Sequence, residues 1–277
     1  MHRLFVLLTA AVALIFDVRA GIAGNPEHIE ISAGDARLKA VLFRPEGNGP
    51  FPAVVGLHNC TGLMNRAGVM GTRYSDWAER LSRNGFAVLL PDSNRSRGLG
   101  SQCAARSRPV RVDRELVADA NAARLWLQGQ SWIAADRVSL LGWSSGANAA
   151  LWAVRTRIPV TEGPDFRSAV AFYPGCRRLG VSAWSARVPT LILIGRADEM
   201  TSAAICQQMV AGARGRSARV EIRVYPNAHH DFDHPNRPLQ ERTGFAFSVD
   251  GSGRVRTGTD HAARADALKR VPAWFAQ

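Results

Sequence analysis

Val138-Ser139-Leu140-Leu141-Gly142-Trp143-Ser144-Ser145-Gly146-Ala147-Asn148-Ala149-Ala150-Leu151 decides the fold. Val138 to Leu141 reads as a buried strand, and Ala147 to Leu151 opens a helix. Between them, Gly142-Trp143-Ser144-Ser145-Gly146 fits G-x-S-x-G, in which a serine sits on a tight strand-to-helix turn. Glycine at both ends lets a strained backbone approach itself closely. The turn leaves Ser144 Oγ exposed above the sheet and the Ser145 N–H free near a helix N-terminus.

Working outward, apolar runs bounded by Gly, Pro and Asp alternate with amphipathic stretches, the signature of repeated strand-helix units. His28 to Ser32 and Leu38 to Phe43 read as a hairpin around Gly34-Asp35, and Ala53 to His58 as a buried strand. Further strands are expected at Ala87 to Leu90, Ala169 to Tyr173, Thr190 to Ile194 and Val220 to Tyr225. Helices are expected at Arg73 to Asn84, Asp113 to Leu127, Ala203 to Ala213 and Ala262 to Phe275, with Pro272 kinking or shortening the last. Fully apolar strands such as Leu191-Ile192-Leu193-Ile194 suit a parallel sheet covered on both faces. His234 to Asp260 carries no clear element and reads as a lid or a surface excursion.

A serine hydroxyl needs a base, and the base needs an acid to hold it. In G-x-S-x-G proteins the acid and then the histidine follow the serine, each on a loop after a strand. Asp198 meets the first requirement, with Glu199 as its competitor. After Tyr225, His229 and His230 both meet the second, and spacing does not choose between them.

Composition bounds the rest. The 277 residues are 46% hydrophobic and 21% charged, which is globular, and we expect one domain over residues 21–277. Met1-His2-Arg3, the apolar run Leu4 to Phe16 and Val18-Arg19-Ala20 read as a secretory signal over residues 1–20. A helix that spans a bilayer needs about 18 apolar residues or more, so with a 13-residue run an uncleaved anchor is the weaker reading. The mature protein is expected to be exported, periplasmic or secreted, without membrane insertion. The net charge is +12, and 33 of the 35 basic residues are arginines scattered along the chain. Nucleic-acid binding calls for clustered basic residues, so it is not expected. Cys60, Cys103, Cys176 and Cys206 are an even set for an oxidising compartment, and they allow three pairings. No CxxC pair suggests zinc.

The chain resembles the dienelactone hydrolase family of α/β-hydrolases, in particular its exported serine members. The residues that carry the resemblance are His58-Asn59-Cys60-Thr61-Gly62-Leu63, Asp92-Ser93 with Arg97-Gly98, Gly142 to Gly146, Phe172-Tyr173-Pro174-Gly175-Cys176, Gly195 to Asp198 and Tyr225 to Phe232. It implies an α/β-hydrolase fold, a mostly parallel central sheet with helices on both faces, and ester or lactone cleavage without a cofactor. It also implies a triad of Ser144, Asp198 and His230, because the family's Ala-x-His-x-Phe pattern falls on Ala228 to Phe232. The backbone N–H groups of Cys60 and Ser145 are then the expected oxyanion donors. A Cys60–Cys103 bridge would pin the loop after the third strand, and a Cys176–Cys206 bridge would tie loops at the same sheet edge.

There are departures as well. The best-known members carry cysteine in the elbow, where Ser144 stands, and an arginine four residues after the histidine, where His234 stands. Arg95 or Arg97 is therefore a candidate anion contact, and Trp143 and Tyr173 are candidate pocket linings, against plain surface or core roles. Two rival readings compete. The first is a metal-dependent hydrolase using the ligand-dense His229 to His234, where adjacent ligands converge poorly on one ion. The second is a non-catalytic exported binding protein. All three triad positions hold competent residues, which favours the enzyme.

Overall fold

A computed structural model describes residues 25–34, 36–160 and 162–277. The expected export signal at residues 1–20 and Asp35 of the first turn lie outside these.

Eight strands form one sheet in the order β1-β2-β4-β3-β5-β6-β7-β8. The opening hairpin is β1 (Glu27–Ala33) and β2 (Ala36–Phe43), with Ala33 opposite Ala36. Strand β2 runs antiparallel to β4 (Ala87–Pro91), and from there the sheet is parallel through β3 (Phe51–Leu57), β5 (Ile133–Trp143), β6 (Ala169–Phe172), β7 (Thr190–Gly195) and β8 (Val220–Tyr225). Successive side chains on a strand point to opposite faces. Every residue of β4, β6 and β7 is buried, so both faces are covered. At the edge, β8 instead places Glu221 and Arg223 in solvent, a charged strand that discourages edge pairing.

The helices are α1 (Thr72–Arg83), α2 (Glu115–Gln128), α3 (Ser145–Ala153), α4 (Arg177–Val181), α5 (Ala203–Gly212) and α6 (His261–Phe275). Asp260 caps α6 by accepting from the Ala263 N–H at 2.8 Å. Pro272 does not end that helix, which runs on to Phe275. The segment read as featureless contains a short hairpin, β9 (Gln240–Arg242) with β10 (Val255–Thr257), in which Val255 faces Arg242. Among the described residues no helix is long and apolar enough to cross a membrane.

Candidate active site

Strand β5 delivers Ser144 to the carboxyl edge of the sheet. Its backbone takes φ 53° and ψ −111°, a strained conformation for a residue with a side chain, and the Ser144 N–H donates to the Phe172 carbonyl at 3.0 Å. Neither flanking glycine tolerates a β-carbon. One on Gly142 would stand 2.3 Å from the Gly146 carbonyl oxygen, and one on Gly146 would stand 2.0 Å from that of Leu57. Helix α3 is thereby packed directly against the end of β3, and the Ser145 N–H is left at its N-terminus.

The loop after β3 carries Cys60. The Asn59 N–H donates to the Tyr74 hydroxyl at 3.0 Å, and the Cys60 carbonyl accepts from the Gln102 N–H at 2.8 Å. Among the described residues, the N–H groups of Cys60 and Ser145 donate to no protein acceptor. Cys60 is bonded to Cys103 and Cys176 to Cys206, one of the three pairings that the sequence allows.

Asp198 follows β7 and His230 follows β8. A β-carbon on Gly195 would lie 1.9 Å from the Ala228 carbonyl oxygen, so glycine lets the two loops touch. Asp198 Oδ2 accepts from His230 Nδ1 at 2.7 Å and from Thr201 Oγ1 at 2.9 Å. Its Oδ1 accepts the N–H groups of Met200 and Thr201 at 2.8 and 2.9 Å. Thr201, three residues after the acid, is an addition to the sequence reading, and the Asp-x-x-Thr turn is the signal that would have found it. Burial pulls the His230 imidazole toward lower pKa, but the charge and hydrogen bond of Asp198, with the charge of Asp231, leave it above its ordinary value.

The competitors sit elsewhere. Glu199 holds exposed Arg256 through contacts of 2.6 and 2.9 Å, and it is His230 rather than His229 that meets Asp198. The other members of the ligand-dense run diverge. Asp231 pairs with buried Arg73 and with Arg237, Asp233 accepts from Trp77, Trp143 and Tyr173, and His234 Nε2 meets Thr72 Oγ1 at 3.1 Å. Burial and the neighbouring Arg237 and Arg73 push His234 down to about 4. Among the described residues no three His, Cys, Asp or Glu side chains gather as a metal site requires.

Three expected substrate contacts have other partners. Arg97 is locked in a two-pronged pair with Asp119 at 2.7 and 2.8 Å. Trp143 and Tyr173 are turned into the core, with the indole N–H and the phenol O–H both spent on Asp233. The cavity beside Ser144, of about 980 Å³, is lined instead by the 106–114 loop, Trp152, Ile205 and residues 245–251 of the β9–β10 connection.

The sequence profile of the dienelactone hydrolase family matches residues 38–277. Over 215 residues the chain is 26% identical to a Bradyrhizobium sp protein described as "Probable 2-oxo-3-(5-oxofuran-2-ylidene)propanoate lactonase", covering 72% of this chain and 80% of that one. It is 30% identical to an uncharacterised Mycobacterium tuberculosis protein over 210 residues, 69% of this chain and 68% of its relative. Among solved structures, the dienelactone hydrolase-like promiscuous phosphotriesterase P91 from metagenomic libraries superposes with a TM-score of 0.70 at 20% identity, covering 91% of this chain and 97% of its own. The dienelactone hydrolase of Anabaena variabilis gives 0.63 at 18% identity, with 92% and 98% covered. A match across the sheet, the elbow and both downstream loops makes this chain a hydrolase of the dienelactone hydrolase family.

Proposed function

We propose that this protein is an exported serine hydrolase that cleaves a carboxylic ester or lactone, with Ser144 as nucleophile, His230 as base and then acid, and Asp198 as its orienting partner. The observation that carries the reading is the 2.7 Å contact between His230 Nδ1 and Asp198 Oδ2, on loops that follow β8 and β7 of the same parallel sheet whose β5 ends at the strained Ser144 turn. With Nδ1 committed to Asp198, Nε2 is the nitrogen that takes the Ser144 proton. Attack forms a tetrahedral intermediate whose oxyanion meets the N–H groups of Cys60 and Ser145, each worth about 3 kcal/mol in such a site. Protonated His230 gives its proton to the leaving oxygen, and water, activated at the same imidazole, releases the acyl group. Water is the only co-reactant. The lactonase description of the Bradyrhizobium relative supports a lactone or ester substrate. Two disulfides support passage of residues 21–277 through an oxidising compartment after removal of residues 1–20.

Fluorophosphonate labelling of the purified mature protein, with 4-nitrophenyl butyrate turnover read alongside, tests this. Labelling at Ser144, and loss of about 10⁴-fold or more in kcat for Ser144→Ala with no effect of EDTA, is the expected result. Neither label nor turnover would turn the assignment to a binding protein, and loss with EDTA alone would turn it to a metal enzyme.

A further inference from the structure

Six of the chain's 33 arginines, Arg106, Arg108, Arg111, Arg114, Arg177 and Arg178, line the cavity that contains Ser144. Two of these are neutralised locally. Arg111 pairs with Glu115 at 2.6 Å and Arg178 with Asp113 at 2.9 Å. Among the described residues, Arg106, Arg108, Arg114 and Arg177 pair with no carboxylate. Arg108 is part-buried over the Phe247 ring at 5.2 Å, and desolvation lowers it from its ordinary value. The one other acidic residue in the lining, Asp250, is occupied by Ser248 and Ser252 of its own turn.

Four guanidiniums without carboxylate partners, on two separate segments, the 106–114 loop and α4, give the cavity rim a surplus of positive charge that favours anions. One carboxylate satisfies one guanidinium fork, or two at most, so a ligand with a single charge leaves at least half of this rim unmatched. The volume, about 980 Å³, lies at the upper end of the range for small-molecule sites, and Trp152, Ile205, Phe247 and Val249 provide apolar surface for an acyl group.

Resting on the serine-hydrolase reading above, we propose that the substrate is an acyl ester borne on an extended polyanion, whose repeated negative charges run along the arginine rim. Ser144 Oγ takes the acyl group as the acyl carbon–oxygen bond breaks and the polymer hydroxyl leaves. Water then returns the acyl group as the free acid.

The test compares O-acetylated polygalacturonate, O-acetylated poly(glycerol phosphate) and O-acetylated xylan by acetate release, with 4-nitrophenyl butyrate as the small neutral ester. The expected result is an anionic-to-neutral polymer ratio of kcat/KM above about tenfold at low salt. It collapses in 1 M NaCl, where the Debye length is about 3 Å. Arg106→Ser/Arg114→Ser/Arg177→Ser should cut that ratio by about tenfold, from exposed charges of modest individual worth. Arg37→Ser/Arg137→Ser, which removes the same kind of charge away from the cavity, should leave it in place. The carboxylate and phosphate arms tell which anion is preferred. Equal rates on both kinds of polymer, or an equal loss of the ratio in both variants, overturns the proposal. Failure of the neutral ester and of fluorophosphonate labelling would instead strike the serine-hydrolase reading itself.

Discussion

Trp143, the residue before the elbow serine, donates its indole N–H to Asp233, three residues past His230, at 2.8 Å. The same carboxylate accepts Trp77 Nε1 at 2.8 Å and the Tyr173 hydroxyl at 2.7 Å, and Arg73 Nε lies 3.4 Å away. The end of β5, the end of β6 and α1 are thus tied to the loop that carries His230, and the Tyr173 ring lies 4.3 Å from the imidazole.

Asp233→Ala would leave three buried donors without an acceptor and Arg73 with Asp231 as its remaining ion-pair partner. Breaking a buried charge network in this way costs on the order of 3 to 5 kcal/mol. Urea unfolding should show a loss in that range, with a smaller one for Asp233→Asn, which keeps one acceptor oxygen. An alanine variant as stable as the parent would mean that the hub contributes nothing.

The parallel strands and the elbow were legible because burial on both faces leaves β4, β6 and β7 apolar apart from Thr190 at the start of β7, and because Gly142 and Gly146 stand where no β-carbon fits. Side-chain direction was not legible. Trp143 and Tyr173 have the composition of a pocket wall, but their polar atoms point to Asp233, a partner 90 and 60 residues away. The β9–β10 hairpin was missed because Gln240-Glu241-Arg242 is fully exposed and shows no apolar alternation. Its connection walls the cavity through long-range contacts, the Ala246 N–H to the Cys103 carbonyl at 2.9 Å and the Val249 N–H to the Glu199 carbonyl at 2.7 Å.

His230 is raised above its ordinary value of 6.5 chiefly by Asp198, against burial. The base form is lost as pH falls through the raised value, so kcat/KM should decline on the acid side with an inflection above 6.5. Asp198→Asn removes the charge that raises it. The residual activity of that variant should then titrate at lower pH, with kcat reduced by about 10⁴-fold. A pH–rate profile for each protein checks this, and an unmoved inflection would separate the profile from His230.

Gly195→Ala places a methyl group 1.9 Å from a backbone oxygen, and neither loop has a flexible side chain there to yield. Misplacing reacting groups by about 1 Å costs about 10²-fold, so a loss of kcat near that size is expected with the neutral ester. Gly212→Ala, at the last residue of α5, meets nothing within 4 Å and should add about 0.5 to 1 kcal/mol of stability at unchanged activity. Parallel melting and turnover of the two variants read the contrast.

The two disulfides close comparable loops, with sequence separations of 43 and 30, and a chain-entropy account assigns each about 4 kcal/mol. Cys60→Ala/Cys103→Ala and Cys176→Ala/Cys206→Ala should therefore lose similar stability in urea. Their activities should differ. The first bridge holds the segment whose Cys60 N–H is proposed to face the oxyanion, and alanine keeps that N–H while releasing the tether to Cys103. Two hydrogen bonds, the Gln102 N–H on the Cys60 carbonyl and the Asn59 N–H on the Tyr74 hydroxyl, then have to hold the loop. The second bridge joins Cys176, the residue before α4, to Cys206 in α5, and neither segment carries a proposed oxyanion donor. Well below both melting temperatures, kcat on 4-nitrophenyl butyrate should fall by about tenfold or more in the first variant, and much less in the second. An equal fall in both would assign the bridges to stability alone and leave the oxyanion loop positioned by Tyr74 and Gln102.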